Sequence, residues 1–102
     1  MPYLLSDLIQ LALAEGAEAV HLHPSAAPVL EVQRGLHQIE GPRLAAEETE
    51  ALLCAIAPAD ELFELRTNGM TCFDFHVGDA AVFRVVAFRE SGHVTLELRR
   101  SR

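Results

Sequence analysis

Two short segments carry side chains of the kind that bind metal ions. His21 and His23 lie two residues apart, as do successive members of the set Cys72, Asp74 and His76. Residues two apart project from the same face of a β-strand, so each segment would present its ligand groups together. These groups suit zinc, provided that the two strands are neighbours. The alternative, which we favour, is polar residues facing solvent on a half-exposed sheet. His21, His23, Cys72 and His76 remain candidate ligands, but we expect no metal and no other cofactor.

The other nucleophilic groups do not form a recognisable catalytic set. Cys54 lies among Ala, Leu and Ile, which favours a buried, inert thiol over a redox or nucleophilic role. The serines fall at cap, loop, turn and tail positions, namely Ser6, Ser25, Ser91 and Ser101. Triads assemble in space, yet no set here meets the requirements for nucleophile, base and oxyanion donor. We therefore expect no enzyme activity from this chain by itself.

Arginines are concentrated near the C-terminus. Residues 1–80 hold 13 acids and 3 bases, whereas residues 81–102 hold 2 acids and 5 bases. The candidate contact residues in this last segment are Arg84, Arg89, Arg99 and Arg100. A basic hairpin on an acidic body would suit an acidic partner surface, and a solvated strand face is the alternative. For Arg84, that alternative is a cross-strand salt bridge with Asp74, Glu90 or Glu97.

The hydrophobic pattern places these residues on a small set of elements. We predict helices over residues 3–16, 45–57 and 59–68, and strands over residues 19–23, 28–32, 36–39, 70–77, 81–89 and 93–99. Turns are expected at Arg34-Gly35 and at Ser91-Gly92. This order predicts a single α+β domain over residues 1–102, with an antiparallel sheet of about six strands and helices packed on one face.

Composition restricts the functional classes. The chain has 102 residues, is 50% hydrophobic and 23% charged, and carries a net charge of −7, which argues against non-specific binding to nucleic acid or acidic lipid. It contains no apolar run near the 18 residues or so of a membrane span, and no basic leader, so a cytoplasmic protein is expected. Its 2 cysteines suit free thiols in a reducing compartment.

Five motifs occur in a characteristic order. They are Gly-Ala-Glu-Ala-Val-His-Leu at 16–22, Pro-Val-Leu-Glu-Val at 28–32, Glu-Glu-Thr-Glu-Ala-Leu-Leu at 47–53, Phe-Asp-Phe at 73–75 and Phe-Arg-Val at 83–85. In this order they resemble the PAS-like N-terminal domain of PilT-type pilus-retraction and type II secretion ATPases. Gly-Ala-Ser-Asp-Leu-His-Leu, Pro-x-x-Arg-Val, a Glu-Glu-Thr-rich helix, Asp-Phe-Ser-Tyr and Arg-Phe-Arg-Val-Asn are the family's corresponding segments. The resemblance covers nearly the whole chain.

The departures from that family affect polar positions. Glu18 and Ala19 replace its Ser-Asp, Glu31 replaces an arginine, and Cys72 replaces an acid. Val82 replaces the first Arg of its Arg-Phe-Arg-Val-Asn motif, and Val86 replaces the Asn. Because the apolar positions are kept, we expect the sheet to be preserved and the contact surface to be altered.

The resemblance implies a role beside a motor. The family's motor domain would begin near the C-terminal hairpin and needs a phosphate-binding loop with a lysine, which this chain does not contain. We therefore expect a non-catalytic binding, assembly or regulatory module of a type IV pilus (twitching motility) or type II secretion ATPase, either free-standing or excised. Its partner would be a motor ATPase or its own oligomer, at the inner face of the membrane only through partners. By the same resemblance, Arg84 would reach a nucleotide on a neighbouring motor.

A different functional class remains open at this point. PAS-like domains suggest a small-ligand sensor, whose cavity between sheet and helices would be walled by Phe73, Phe75, Phe83 and Phe88. The same phenylalanines would fill a core equally well. The apolar stripe of the first helix is expected to pack on the core, with partner docking as its alternative.

Overall fold

The computed structural model describes residues 3–101, which form three helices and six strands. In chain order these are α1 (Leu5–Glu15), β1 (Ala19–Leu22), β2 (Val29–Val32), β3 (Gly35–Gln38), α2 (Ala46–Cys54), α3 (Ala59–Asn68), β4 (Met70–Val77), β5 (Ala81–Glu90) and β6 (His93–Arg100). Among the residues described, no helix is long and apolar enough to span a bilayer.

The strands form one antiparallel sheet in the order β3-β2-β1-β6-β5-β4. Sequential pairing builds two halves, β1 to β3 and β4 to β6. The halves join where β1 pairs with β6, with Ala19 opposite Arg99 and Leu22 opposite Leu96. Helices α2 and α3 occupy the connection between the halves. The predicted α+β architecture with about six antiparallel strands is confirmed.

Alternate residues of the long strands divide the sheet into two faces. On β5, Phe83 and Val85 are fully buried, whereas Arg84 between them is exposed. The buried residues pack against α1, α2 and α3, so the helices cover one face, as predicted. We call this the helix face and the other the open face. Burial of this apolar layer supplies the main driving force for folding.

The helices follow the predicted stripes; α3 has the predicted limits, whereas α1 and α2 are shorter than predicted. Helix α1 buries Leu8, Ile9 and Ala12 and ends at Gly16, whose φ of 67° is a conformation that glycine adopts without strain. Helix α2 ends at Cys54, not at residue 57. Cys54 is exposed, contrary to the expected burial, because the stripe that contacts the sheet runs through other residues, namely Thr49, Leu52 and Leu53.

One predicted turn is confirmed and the other is shifted. Ser91 and Gly92 both have positive φ, 52° and 81°, as a two-residue hairpin turn with this twist requires. The turn between β2 and β3 is instead formed by Gln33 and Arg34, because Gly35 already pairs with Val32. The prediction placed Gly35 in the turn because glycine is the commoner turn residue.

Candidate functional site

The open face of the sheet is the candidate site, because no helix of the described chain covers it. Strand pairing brings side chains from all six strands onto this face, and its centre lies over β1 and β6. Charged side chains form two ion-pair groups there, and apolar side chains form a patch beside them. Both features arise because side chains along a strand point alternately to the two faces of the sheet, so that every second residue faces away from the core.

The first ion-pair group joins three neighbouring strands. Arg99 on β6 donates to both carboxylate oxygens of Glu31 on β2, with N–O distances of 2.9 and 3.3 Å. Its Nε donates to Glu97 at 2.8 Å, and His21 Nε2 lies 3.0 Å from Glu31 Oε1. Ala19 lies between Glu31 and Arg99 in the strand register, and its small side chain leaves room for the two to meet above it. The pair thereby bridges across β1.

Hydrogen bonds within this group alter two ionisation equilibria. The pKa of Glu31 is lowered, first by the hydrogen bonds from Arg99 and then by the one from His21, because they stabilise the carboxylate. The pKa of Arg99 is raised, first by its bond to Glu31 and then by that to Glu97. Both groups are therefore held in their charged forms at neutral pH, and the bidentate geometry fixes their orientation.

The second group lies on β4 and β5. Arg84 sits directly opposite Asp74, and its Nε donates to Asp74 Oδ1 at 2.8 Å. Its Nη1 also lies 3.8 Å from the sulfur of Cys72. The bond to Asp74 raises the pKa of Arg84 above its usual value. Of the alternatives considered for Arg84, the salt bridge to Asp74 is therefore present, while a contact with a neighbouring motor remains a prediction.

The four candidate arginines do not share one surface, which corrects the expected single basic hairpin surface. Arg84 and Arg99 face each other on the open face, whereas Arg89 and Arg100 project to the helix face. Arg89 pairs there with Glu50 of α2 at 3.2 Å. The reason is strand parity: residues an odd number of positions apart lie on opposite faces. Partner contacts by these arginines stay untested.

The two groups of candidate metal ligands are far apart. His21 and His23 lie on or next to β1, while Cys72 and His76 lie on β4, and β6 and β5 separate these strands. Three strand spacings amount to about 14 Å, beyond the reach of one ion. The condition for a zinc site, that the two strands are neighbours, is therefore not met. Across residues 3–101, no three His, Cys, Asp or Glu side chains are grouped so as to hold a metal ion.

The sensor cavity predicted from four phenylalanines is not formed by them. Phe83 is buried in the core and Phe88 lies on the open face, so they do not line a common cavity. Instead, the helix side of β4 borders an apolar groove of about 290 Å³. It is lined by Leu5, Ser6, Ile9, Gln10, Ala55, Ile56, Phe75 and Val77. The contribution of α1 was not predictable, because it depends on where that helix crosses the sheet.

An apolar patch on the open face was also missed by the sequence analysis. Met70 and Phe88 are directly opposite one another on β4 and β5, and 48% and 41% of their surfaces are exposed. Thr95 of β6 extends the row on the other side of Phe88. The position of Phe88 could have been predicted from the sequence. It lies four residues after Arg84 on the same strand, so both side chains point to the same face.

Solved structures provide a comparison for this arrangement, whereas no protein-family model and no curated protein sequence matches the chain. The crystal structure of the pilus retraction motor PilT with bound ADP aligns with 91% of this chain, with a TM-score of 0.83 and 29% identity. This chain is a structural relative of the PilT N-terminal region. The resemblance predicted from the sequence is thus confirmed.

Two further structures share the fold of this PilT-like chain. They are the ATPase DotB of Legionella pneumophila (TM-score 0.77, 19% identity) and DotB of Yersinia pseudotuberculosis (TM-score 0.75, 18% identity), each aligned over 94% of this chain. The aligned part is 27% of PilT and 28% and 29% of the two DotB chains. The chain therefore spans less than a third of the length of these ATPases.

Proposed function

We propose that this PilT-like chain is a non-catalytic assembly or regulatory module that binds a motor ATPase of the pilus-retraction or secretion type. The observation that carries the proposal is the similarity to PilT over nearly the whole chain, limited to about a quarter of the length of PilT. A module of this kind works through its surface, and the open face of the sheet is the surface that we assign to the partner.

The size and chemistry of the open face support docking of a protein. Six strands spaced about 4.8 Å apart, with about six residues each, give a face of about 600 Å², close to the roughly 800 Å² per partner of a typical stable interface. Phe88 and Met70 supply apolar area at one end. Arg84 and Arg99 already hold carboxylate partners, so covering them would not leave an unpaired buried charge.

Variants on the two faces test this assignment. We expect the chain to co-elute with the intact motor ATPase of its own cell in size-exclusion chromatography with light scattering. Phe88→Asp should abolish co-elution, because it places a charge in the apolar patch. Arg100→Glu changes a charge on the helix face and is the matched control, which should bind like the natural chain.

Two results would overturn the proposal. One is a chain whose mass is unchanged by the motor at concentrations well above those of both proteins in the cell. The other is equal loss of binding in Phe88→Asp and Arg100→Glu, which would place the contact elsewhere. Circular dichroism of both variants establishes that each is folded before the comparison.

A further inference from the structure

Strand β4 is an edge strand of the sheet formed by residues 3–101, and no strand of these residues pairs with its outer side. It pairs with β5 through eight consecutive residue pairs, from Met70–Phe88 to Val77–Ala81, without a bulge. At the opposite edge, β3 has only four residues. The β4 edge is therefore twice as long and is the better template for pairing with another strand.

The hydrogen-bond phase of β4 determines which backbone groups point outward. The amide of Arg89 donates to the carbonyl of Gly69 at 2.9 Å, so residue 69 is oriented towards β5. In an antiparallel pair this orientation alternates with every residue. The odd-numbered residues of β4 thus bond to β5, while the N–H and C=O groups of the even-numbered ones point away from the sheet. These outward-facing residues are Met70, Cys72, Asp74 and His76.

Residues 70–77 lack most of the features with which natural sheets protect an edge. The strand contains no proline and no lysine, and its regular register shows no bulge. Its one acidic side chain, Asp74, is held by Arg84 of the neighbouring strand. An approaching strand would therefore meet neither a misaligned backbone nor a free charge on β4 itself.

A groove suited to apolar side chains lies on the helix side of the same strand. Phe75 and Val77 project from β4 into its lining, and Leu5, Ile9 and Ile56 line it from α1 and from the turn that follows α2. A strand added to β4 would direct every second side chain to the helix side, next to Phe75 and Val77. Strand addition obtains affinity from main-chain bonds and specificity from pockets for alternate side chains, and β4 offers both.

Charge selects the kind of segment that fits. Residues 58–80, which include α3, β4 and the turn after it, hold five acids and one base, Arg66, and one of these acids, Asp74, is paired with Arg84 of β5. The acids are Asp60, Glu61, Glu64, Asp74 and Asp79. A second copy of this chain would bring the same acidic segment against itself, which disfavours pairing of two β4 edges. A basic segment would be attracted.

We propose that the β4 edge and the adjoining groove bind an extended basic segment of a partner protein, in which apolar residues alternate with arginine or lysine. The segment adds as a further strand beside β4, with its apolar side chains in the groove. The groups that bind the segment are the outer backbone of β4 and the groove on the helix side, not the side chains of the open face, so the inference does not depend on the proposed docking to a motor.

A synthetic nine-residue peptide, Arg-Val-Thr-Val-Arg-Val-Thr-Val-Arg, is the probe, and the same peptide with Glu in place of Arg is its control. We expect the basic peptide to bind, with affinity that falls as salt is added. Binding should slow amide hydrogen exchange at Cys72, Asp74 and His76, measured by NMR. The inward amides of Phe73 and Phe75 should be protected before the peptide is added.

Paired variants separate edge pairing from other modes of binding. Cys72→Pro removes one outward N–H and should weaken binding about tenfold or more, because an edge tolerates proline while a partner strand loses a bond and its close approach. Cys72→Ala keeps the N–H and should bind within about twofold of the natural chain. If Cys72→Pro does not fold, methylation of the peptide's own alternate amides makes the same test on unaltered protein.

Several results would overturn the inference. They are the absence of binding, equal binding of the acidic peptide, binding without protection of the β4 amides, and equal affinity for the methylated peptide. Protection of those amides in the free protein together with a doubled mass would assign the edge to a second copy. Phe88→Asp should leave peptide binding unchanged, so failure here is distinguishable from failure of motor docking.

Discussion

At the scale of single residues, the Glu31–Arg99 pair defines the centre of the open face. The resemblance places an arginine at position 31 in related ATPases, whereas this chain has a glutamate there. Arg99 and His21 both contact that glutamate. The Glu31 carboxylate is therefore not isolated, because the side chains around position 31 complement its charge. The family pattern alone does not predict these contacts of Arg99 and His21 with Glu31.

The lowered pKa of Glu31 gives a stability change with a defined sign. Its carboxylate is favoured by folding, so its contribution is present above the ordinary pKa of 4.5 and is lost as the pH falls through the lower folded value. Glu31→Gln should therefore be less stable than the natural chain at pH 7. The difference should shrink as the pH is lowered below 4.5, as measured by urea unfolding at a series of pH values.

Glu40→Gln is the matched control for this measurement, since Glu40 is exposed in a loop. It should follow the natural chain at each pH. A difference between Glu31→Gln and the natural chain that stays constant well below pH 4.5 would contradict the assignment, because protonation of the Glu31 carboxyl in the unfolded chain already reduces the contribution there.

At the scale of elements, strand parity explains both the successes and the errors of the sequence analysis. The alternation of apolar residues identified β4 at its observed limits, Met70–Val77. The same rule separates Arg84 from Arg89, five positions later, and Arg99 from Arg100. The arginine surface could thus have been divided correctly from the sequence, had parity been applied to charges as well as to apolar residues.

Strand order, by contrast, could not be obtained from local pattern. Whether His21 meets Cys72 depends on which strands are neighbours, and β6 and β5 lie between them. The groove beside β4 likewise depends on the path of α1 across the sheet. Both are products of long-range packing, which a period of two or of 3.6 residues does not encode.

Two phenylalanines on one strand provide a direct test of the two faces. Phe83 is fully buried, while Phe88, five residues later, is exposed on the open face. Phe83→Ala should lower the free energy of unfolding by about 3–5 kcal/mol, because it removes buried surface and leaves a cavity. Phe88→Ala should cost less than about 1 kcal/mol.

Urea unfolding of both variants makes the comparison. Costs of similar size for the two substitutions would mean that Phe88 is covered in the isolated protein, for instance by self-association. That outcome would also remove the apolar patch from the proposed docking surface.

At the scale of the whole molecule, the chain has the fold of the N-terminal part of a motor. It contains no lysine, which the phosphate-binding loop of such motors requires. We expect no ATP hydrolysis above the buffer rate when the purified chain is assayed alone for phosphate release. An intact motor ATPase serves as the positive control. Hydrolysis that persists through several purification steps and scales with the chain would contradict a non-catalytic module.

The β1–β6 junction also dictates the order of events during synthesis. Ala19 and Arg99 are paired although 80 positions separate them in the chain. Until β6 has left the ribosome, the inner edge of β1 lacks its partner and the core cannot close. Such late, non-local pairing slows folding and leaves an aggregation-prone intermediate with exposed apolar surface. Ribosome-bound chains that stop before residue 93 should therefore remain dependent on chaperones, whatever the stability of the finished domain.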